Sequence, residues 1–113
     1  MNEPQLKTLL DDLDSANATN DAMSRLVVTR LAKQRIPYQA MLGKLEVDGK
    51  VIYPHFWVET DDCVIDYRAR QQLGADAEIP HGVVARDEVK GRYEGTEIVI
   101  DPLPDYLFEL LKH

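Results

Sequence analysis

Apolar residues recur at helical spacing near the start of the chain. Four leucines, three or four positions apart, predict a short amphipathic helix: Leu6, Leu9, Leu10 and Leu13. Asn2 suits the cap of this helix, because its side-chain oxygen can accept a hydrogen bond from a free N–H of the first turn. The run of small and turn-forming residues from Ser15 to Asn20 predicts where the helix ends.

A second helix is predicted from about Asp21 to Gln34. Its apolar positions have the same spacing and are Met23, Leu26, Val27 and Leu31. Thr19 or Asn20 is expected to cap this helix. The pair Ile36-Pro37 predicts its end, because the residue before a proline avoids the helical region.

Alternation of apolar and polar residues replaces helical spacing from Tyr38 onward, which indicates strands. Tyr38 to Val47 is predicted as a strand, Asp48-Gly49 as a hairpin turn, and the residues from Val51 as the partner strand. Together with the hairpin described next and a final strand, these segments predict an antiparallel sheet of about four strands.

The remaining segments are less regular. Ala75 to Lys90 has mixed polarity and contains Pro80-His81-Gly82, which predicts a loop with at most one short turn. Tyr93 to Asp101 is predicted as the last strand, and Asp105 to Lys112 as a closing amphipathic helix. Two helices, a sheet and a helix, in that order, predict an α+β fold.

The segment from His55 to Arg68 predicts a second hairpin, whose turn is the pair Asp61-Asp62. This turn sets a register in which Asp66 is directly opposite Trp57 and diagonal to His55. Because side chains alternate between the faces of a sheet, all three lie on one face. We therefore expect Asp66 to hydrogen-bond to His55, as the carboxylate that orients a catalytic base does.

Length, charge and cysteine content exclude some classes of function. A chain of 113 residues has the length of one domain, expected to span residues 1–113. Its formal net charge of −7 argues against nucleic acid and anionic membranes as partners. No apolar run is long enough for a membrane span, and no signal-peptide pattern is present. The single cysteine, Cys63, fits a reducing cytoplasm.

Neither a metal nor a cofactor is expected. The histidines and Cys63 lack the paired spacing of metal ligands, and the chain has no glycine-rich phosphate loop.

The order of these features resembles the transglutaminase-like superfamily within the papain-like thiol enzymes. The resemblance covers about Thr19 to Gly74: a helix, Ile36-Pro37, a strand, a hairpin with His55-Phe56-Trp57-Val58-Glu59, and then Val64-Ile65-Asp66. The family includes microbial transglutaminase-like proteases and lasso-peptide leader peptidases. The resemblance implies a papain-like core in which His55 is the general base and Asp66 orients it.

The nucleophile of the family has no counterpart in this chain. Family sequences place a cysteine at the N-terminus of the helix, where the helix dipole and backbone N–H groups favour a thiolate. The corresponding position is at or near Asn20, and no cysteine is close to it. Cys63 does not replace it, because it is on the wrong strand and faces away from His55.

Four further residues have both a structural and a functional interpretation. Trp57 has a structural role, in the core or lining a groove, or it is a platform on which a ligand binds. Thr19 is a helix cap or a hydroxyl nucleophile, and Ser24 a packing residue or such a nucleophile. His81 is a loop residue, or it reaches the same cleft as His55.

Two functions follow from these residues. The first is a degenerate transglutaminase-like domain that keeps the His–Asp dyad and binds a peptide or protein. The alternative is an active peptidase, amidase or acyltransferase that uses a hydroxyl near the second helix or a cysteine from a partner. Replacement of a natural cysteine would give the same sequence pattern. We expect His55 to face the N-terminus of the second helix and Cys63 to be buried.

Overall fold

Four helices and a five-stranded antiparallel sheet form the protein, and a computed structural model describes all residues from Met1 to His113. The helices are α1 (Glu3–Leu10), α2 (Asn20–Lys33), α3 (Ala69–Leu73) and α4 (Asp105–Lys112). The strands are β1 (Gln39–Val47), β2 (Lys50–Glu59), β3 (Cys63–Asp66), β4 (Gly82–Ala85) and β5 (Arg92–Ile98). Short 3₁₀ helices cover Asp11–Ser15 and Arg86–Glu88. None of the helices has the length and apolar character that crossing a membrane requires.

The predicted α+β class is confirmed, and most predicted elements are present. Asn2 caps α1 by accepting a hydrogen bond from the Gln5 N–H, and the Gln5 side-chain oxygen accepts one from the Asn2 N–H. The turn between β1 and β2 contains Asp48 and Gly49, both with positive φ, as this type of hairpin turn requires.

The predicted loop from Ala75 to Lys90 is wrong in part, because it contains β4; its 3₁₀ helix, Arg86–Glu88, is a single short turn as predicted. The strand has only four residues and no alternation, so sequence periodicity could not reveal it. It is stabilised by pairing with β3, where Val64 lies opposite Val84 and Asp66 opposite Gly82. The five-residue helix α3 was also not predicted.

The last strand ends at Ile98, three residues before the predicted end. Val99 is 91% exposed, so the apolar run does not continue into the sheet. Instead the chain turns toward α2, where Arg25 Nε donates to the Asp101 carbonyl and Thr29 Oγ1 accepts from the Leu103 N–H. These contacts pull the segment away from β1.

The sheet has the strand order β4-β3-β2-β1-β5 and separates two hydrophobic clusters. The larger cluster contains apolar side chains of α1 and α2 together with Val58, Ile65 and Tyr67; we call this side the α2 face. The smaller cluster contains Leu45, Val47, Ile52, Ala69, Leu73 and Ile79; we call this side the α3 face. Alternation puts His55, Trp57, Asp66 and Tyr93 on the α3 face.

The sheet is curled, with its α3 face on the inside. Tyr93 on β5 donates a hydrogen bond of 2.8 Å to Asp66 on β3, across the two strands between them. In a flat sheet, strands three positions apart are separated by about 14 Å, which these two side chains cannot bridge. The curl therefore encloses the smaller cluster and the polar side chains next to it.

Candidate functional site

His55 and Asp66 form the hydrogen-bonded pair that the sequence predicts. His55 Nε2 donates to Asp66 Oδ2 at 2.7 Å. The observed register pairs Val58 with Ile65 and Glu59 with Val64, which is the register set by the Asp61-Asp62 turn. Both side chains are 1% exposed, so the pair lies inside the protein and not in an open cleft.

Asp66 uses all of its hydrogen-bonding capacity inside the protein. Its Oδ1 accepts from the backbone N–H groups of Arg68 and Ala69, both at 3.1 Å, which fixes the start of α3. Its Oδ2 accepts from His55 and from the Tyr93 hydroxyl. A carboxylate offers about four acceptor positions. The burial of Asp66 is therefore fully compensated, as expected of a structural carboxylate.

Tyr93 is the third member of this cluster and was not predicted. Burial raises the pKa of Tyr93, and the adjacent Asp66 carboxylate adds to the rise through its charge and its hydrogen bond. The phenol thus stays protonated and remains a donor to Asp66. Its ring packs against Trp57 with centroids 4.8 Å apart. The only signal in the sequence was an aromatic residue in a predicted strand, which does not identify its partner.

Trp57 is a core residue in the structure. It is 1% exposed, and its indole Nε1 donates to Glu59 Oε2 at 2.7 Å. Arg86 lies 2.8 Å from the other oxygen of Glu59. Trp57 thus offers no surface to a ligand, and its role is to pack between His55 and Tyr93.

Asn20, at the expected nucleophile position, contacts the strand next to His55 but not the imidazole. Its Nδ2 donates to the Phe56 carbonyl at 2.8 Å, and its Oδ1 accepts from the Phe56 N–H at 2.7 Å. The expectation that His55 faces the N-terminus of α2 is wrong. The ring leaves β2 on the α3 face, whereas α2 covers the opposite face.

Neither hydroxyl near the start of α2 is hydrogen-bonded to His55. Thr19 Oγ1 donates to Asp21 Oδ1 at 2.8 Å, and this bond is the main reason that the pKa of Asp21 is lowered. Thr19 occupies the N-cap position, but its side chain does not cap the helix. Ser24 is 4% exposed and lines a gap of about 10 Å³ between α2 and the sheet. That space is at most enough for one water.

His81 lies on the other side of the sheet from His55. Its Nε2 donates to Asp14 Oδ2 at 2.8 Å, and its ring is nearly perpendicular to that of Tyr67, with the centroids 5.8 Å apart. Tyr67 belongs to the α2 face. The structure therefore does not bring His81 to the His55–Asp66 pair, and the interpretation that it reaches the same cleft is wrong.

Cys63 is fully buried, as expected. Its side chain belongs to the cluster on the α2 face, whereas His55 is on the α3 face. Burial raises the pKa of the Cys63 thiol, with a smaller contribution from the charge of Glu3. A thiol with these properties is a poor nucleophile.

Arg68 is a further buried residue that the sequence did not reveal. It is 5% exposed. Its guanidinium donates to the carbonyls of Asp14, Ala16, Ala18 and Tyr67 and to the Asp14 carboxylate. These bonds fix the segment that leads into α2, and thereby the place where the helix begins.

No group of three or more His, Cys, Asp or Glu side chains is arranged to hold a metal ion. No protein-family model, no curated protein and no solved structure matches this chain.

Proposed function

We propose that the chain is a degenerate transglutaminase-like domain, which binds a peptide or protein and does not turn over a substrate. One observation carries the non-catalytic part of the proposal. His55 and Asp66 are 2.7 Å apart and each is 1% exposed. A general base must be within reach of the proton that it removes, and a substrate has no open path to this imidazole.

One contact is in line with the family relationship, although the imidazole of His55 lies on the face of β2 that α2 does not cover. The start of α2 meets β2 through Asn20 and Phe56, one residue from His55. A papain-like core places its helix-borne nucleophile at this position. The alternative of an active hydrolase or acyltransferase is not favoured by any contact, because neither Thr19 nor Ser24 is hydrogen-bonded to His55.

The test combines an activity screen with a structural readout. The parent protein and the His55→Ala variant are assayed on peptide, amide and ester substrates, and their free energies of unfolding are measured in urea. We expect no turnover by either protein. We expect His55→Ala to lower the free energy of unfolding by about 3 kcal/mol, because it leaves a cavity and removes a donor from buried Asp66.

His113→Ala is the matched control, because His113 is largely exposed at the C-terminus. It should leave the free energy of unfolding unchanged within about 0.5 kcal/mol. Turnover that is present in the parent and lost in His55→Ala would overturn the non-catalytic proposal.

The family relationship has its own test. In an Asn20→Cys, Cys63→Ala double variant, the only thiol lies at the N-terminus of α2. If the relationship holds, this thiol reacts faster than an ordinary cysteine, because the helix N-terminus favours the thiolate. Adding His55→Ala should leave the rate unchanged, because the imidazole lies on the face of β2 that α2 does not cover. A thiol no more reactive than an ordinary cysteine would remove the relationship and leave the non-catalytic proposal standing.

A further inference from the structure

The outer edge of β5 is an unpaired row of backbone groups. β5 is the last strand of the sheet and pairs only with β1. No other backbone or side-chain group hydrogen-bonds to the backbone of Arg92–Ile98. Gly95, in the middle of the strand, is exposed, which shows that neighbouring loops do not cover the backbone there.

The opposite edge of the sheet is different. β4 has four residues, and α1 packs against it. Natural edge strands are commonly protected by a short length, lysine, proline or a covering helix. The seven residues of β5 contain neither lysine nor proline, and no helix covers them. β5 is thus a long edge that is open to a further strand.

The charges along β5 indicate what kind of strand fits there. Arg92 and Lys44 both pair with Glu94, at 3.5 and 3.8 Å, so these charges compensate each other. Glu97 is exposed and has no ion pair. The whole chain has a formal net charge of −7, which attracts cationic partners to the molecule.

We propose that an extended basic peptide binds as a sixth strand along β5, with a lysine or arginine beside Glu97. Backbone hydrogen bonds to an open edge give such a complex its affinity, and side-chain contacts give it specificity. This inference deepens the proposed function, because it names the class of ligand. A second copy of the chain is the less favoured occupant, since pairing would bring two molecules of charge −7 together.

The probe is a fluorescently labelled peptide of alternating lysine and threonine, long enough to span β5. We expect saturable binding in fluorescence anisotropy at low salt, with a Kd below about 1 mM. A glutamate–threonine peptide should not bind. Two further probes carry N-methyl groups on one or the other alternating set of amides. The probe whose methyl groups face β5 should lose binding, and the other should bind like the parent peptide.

Glu97→Lys should weaken binding of the lysine–threonine peptide by about fivefold, because it reverses the unpaired charge. Glu109→Lys is the matched control with the same change of net charge on α4, and it should weaken binding much less. Equal binding of the two methylated probes, equal effects of the two variants, or no saturable binding would each overturn the proposal. A dimer in sedimentation that the peptide does not dissociate would assign the edge to a second copy.

These outcomes are separate from those of the activity screen. Loss of peptide binding with no turnover would remove the β5 site but leave the non-catalytic domain. Turnover that depends on His55 would overturn the non-catalytic proposal, whether or not the peptide binds to β5.

Discussion

Asn20 hydrogen-bonds through its side-chain amide to both backbone groups of Phe56, at 2.8 and 2.7 Å. β3 ends at Asp66, so the adjoining backbone of Phe56 has no partner in that strand. The amide of Asn20 takes the place of the missing strand residue. The contact thus joins the first turn of α2 to the central strand of the sheet.

Asn20→Asp tests this contact, because two effects predict opposite signs. A carboxylate in the first turn of a helix is ordinarily stabilising by about 0.3–1 kcal/mol. Here it would lose the donor to the Phe56 carbonyl and place negative charge beside that oxygen. We expect the free energy of unfolding in urea to fall by about 1–3 kcal/mol. Asn17→Asp, at an exposed position before the helix, is the control; a stabilising Asn20→Asp would contradict the contact.

The pH dependence of stability should reveal the raised pKa of Tyr93 in the folded protein. Its pKa is raised in the folded state by burial and by Asp66, whereas in the unfolded chain it is about 10. Above pH 10 the unfolded state therefore loses a proton that the folded state keeps, and stability falls as pH rises. Each such group contributes a slope of about 1.4 kcal/mol per pH unit.

In Tyr93→Phe the fall of stability with pH should be less steep by about the contribution of one group, about 1.4 kcal/mol per pH unit. Tyr67, whose pKa is also raised by burial, should still contribute to the slope in the variant. Urea unfolding between pH 8 and 11, in steps of about half a unit, measures both slopes. Below pH 10 the variant should be less stable by about 1–3 kcal/mol, because a charge-assisted hydrogen bond to Asp66 is lost. Equal slopes in the two proteins would show that Tyr93 ionises normally.

Arg68→Lys should be strongly destabilising although the charge is kept. The planar guanidinium of Arg68 serves five acceptors, and a lysine ammonium has only three donors and a different geometry. We expect a loss of about 2–4 kcal/mol in the free energy of unfolding. Arg92→Lys is the control, because Arg92 forms an exposed ion pair with Glu46. It should lower the free energy of unfolding by less than about 1 kcal/mol. Similar costs for both variants would contradict the role given to Arg68.

Cys63 should resist modification in the native protein. Its side chain is fully buried, and burial raises its thiol pKa, so both access and thiolate formation are limited. A thiol reagent should modify the chain only as fast as it unfolds, and should react fully in concentrated urea. Rapid modification in native buffer would show an activated cysteine and reopen the thiol-enzyme interpretation.

The His55–Asp66 pair could be predicted because its geometry is local. A two-residue turn sets the register of a hairpin, and alternation then decides which side chains share a face. The prediction was wrong about which face of the sheet α2 covers. Phe56, Val58, Ile65 and Tyr67 make the other face of the hairpin more apolar, and an amphipathic helix covers the more apolar face.

Tyr93 and Arg68 could not be found in the same way. Tyr93 meets Asp66 only because β5 joins the edge of β1 and the sheet curls. Arg68 is buried only because the segment before α2 wraps around it, fifty or more positions earlier in the chain. Both contacts depend on the folded topology, about which periodicity in the sequence carries no information.

The chain between Ala85 and Arg92 crosses from one edge of the sheet to the other. Edge strands of a flat five-stranded sheet are about 19 Å apart, and the 3₁₀ helix Arg86–Glu88 shortens the reach of this connection. Lengthening a loop costs little, about 0.6 kcal/mol for each doubling of its length. Related proteins should therefore show insertions in this connection more often than deletions, because part of its short length is already taken up by the 3₁₀ helix.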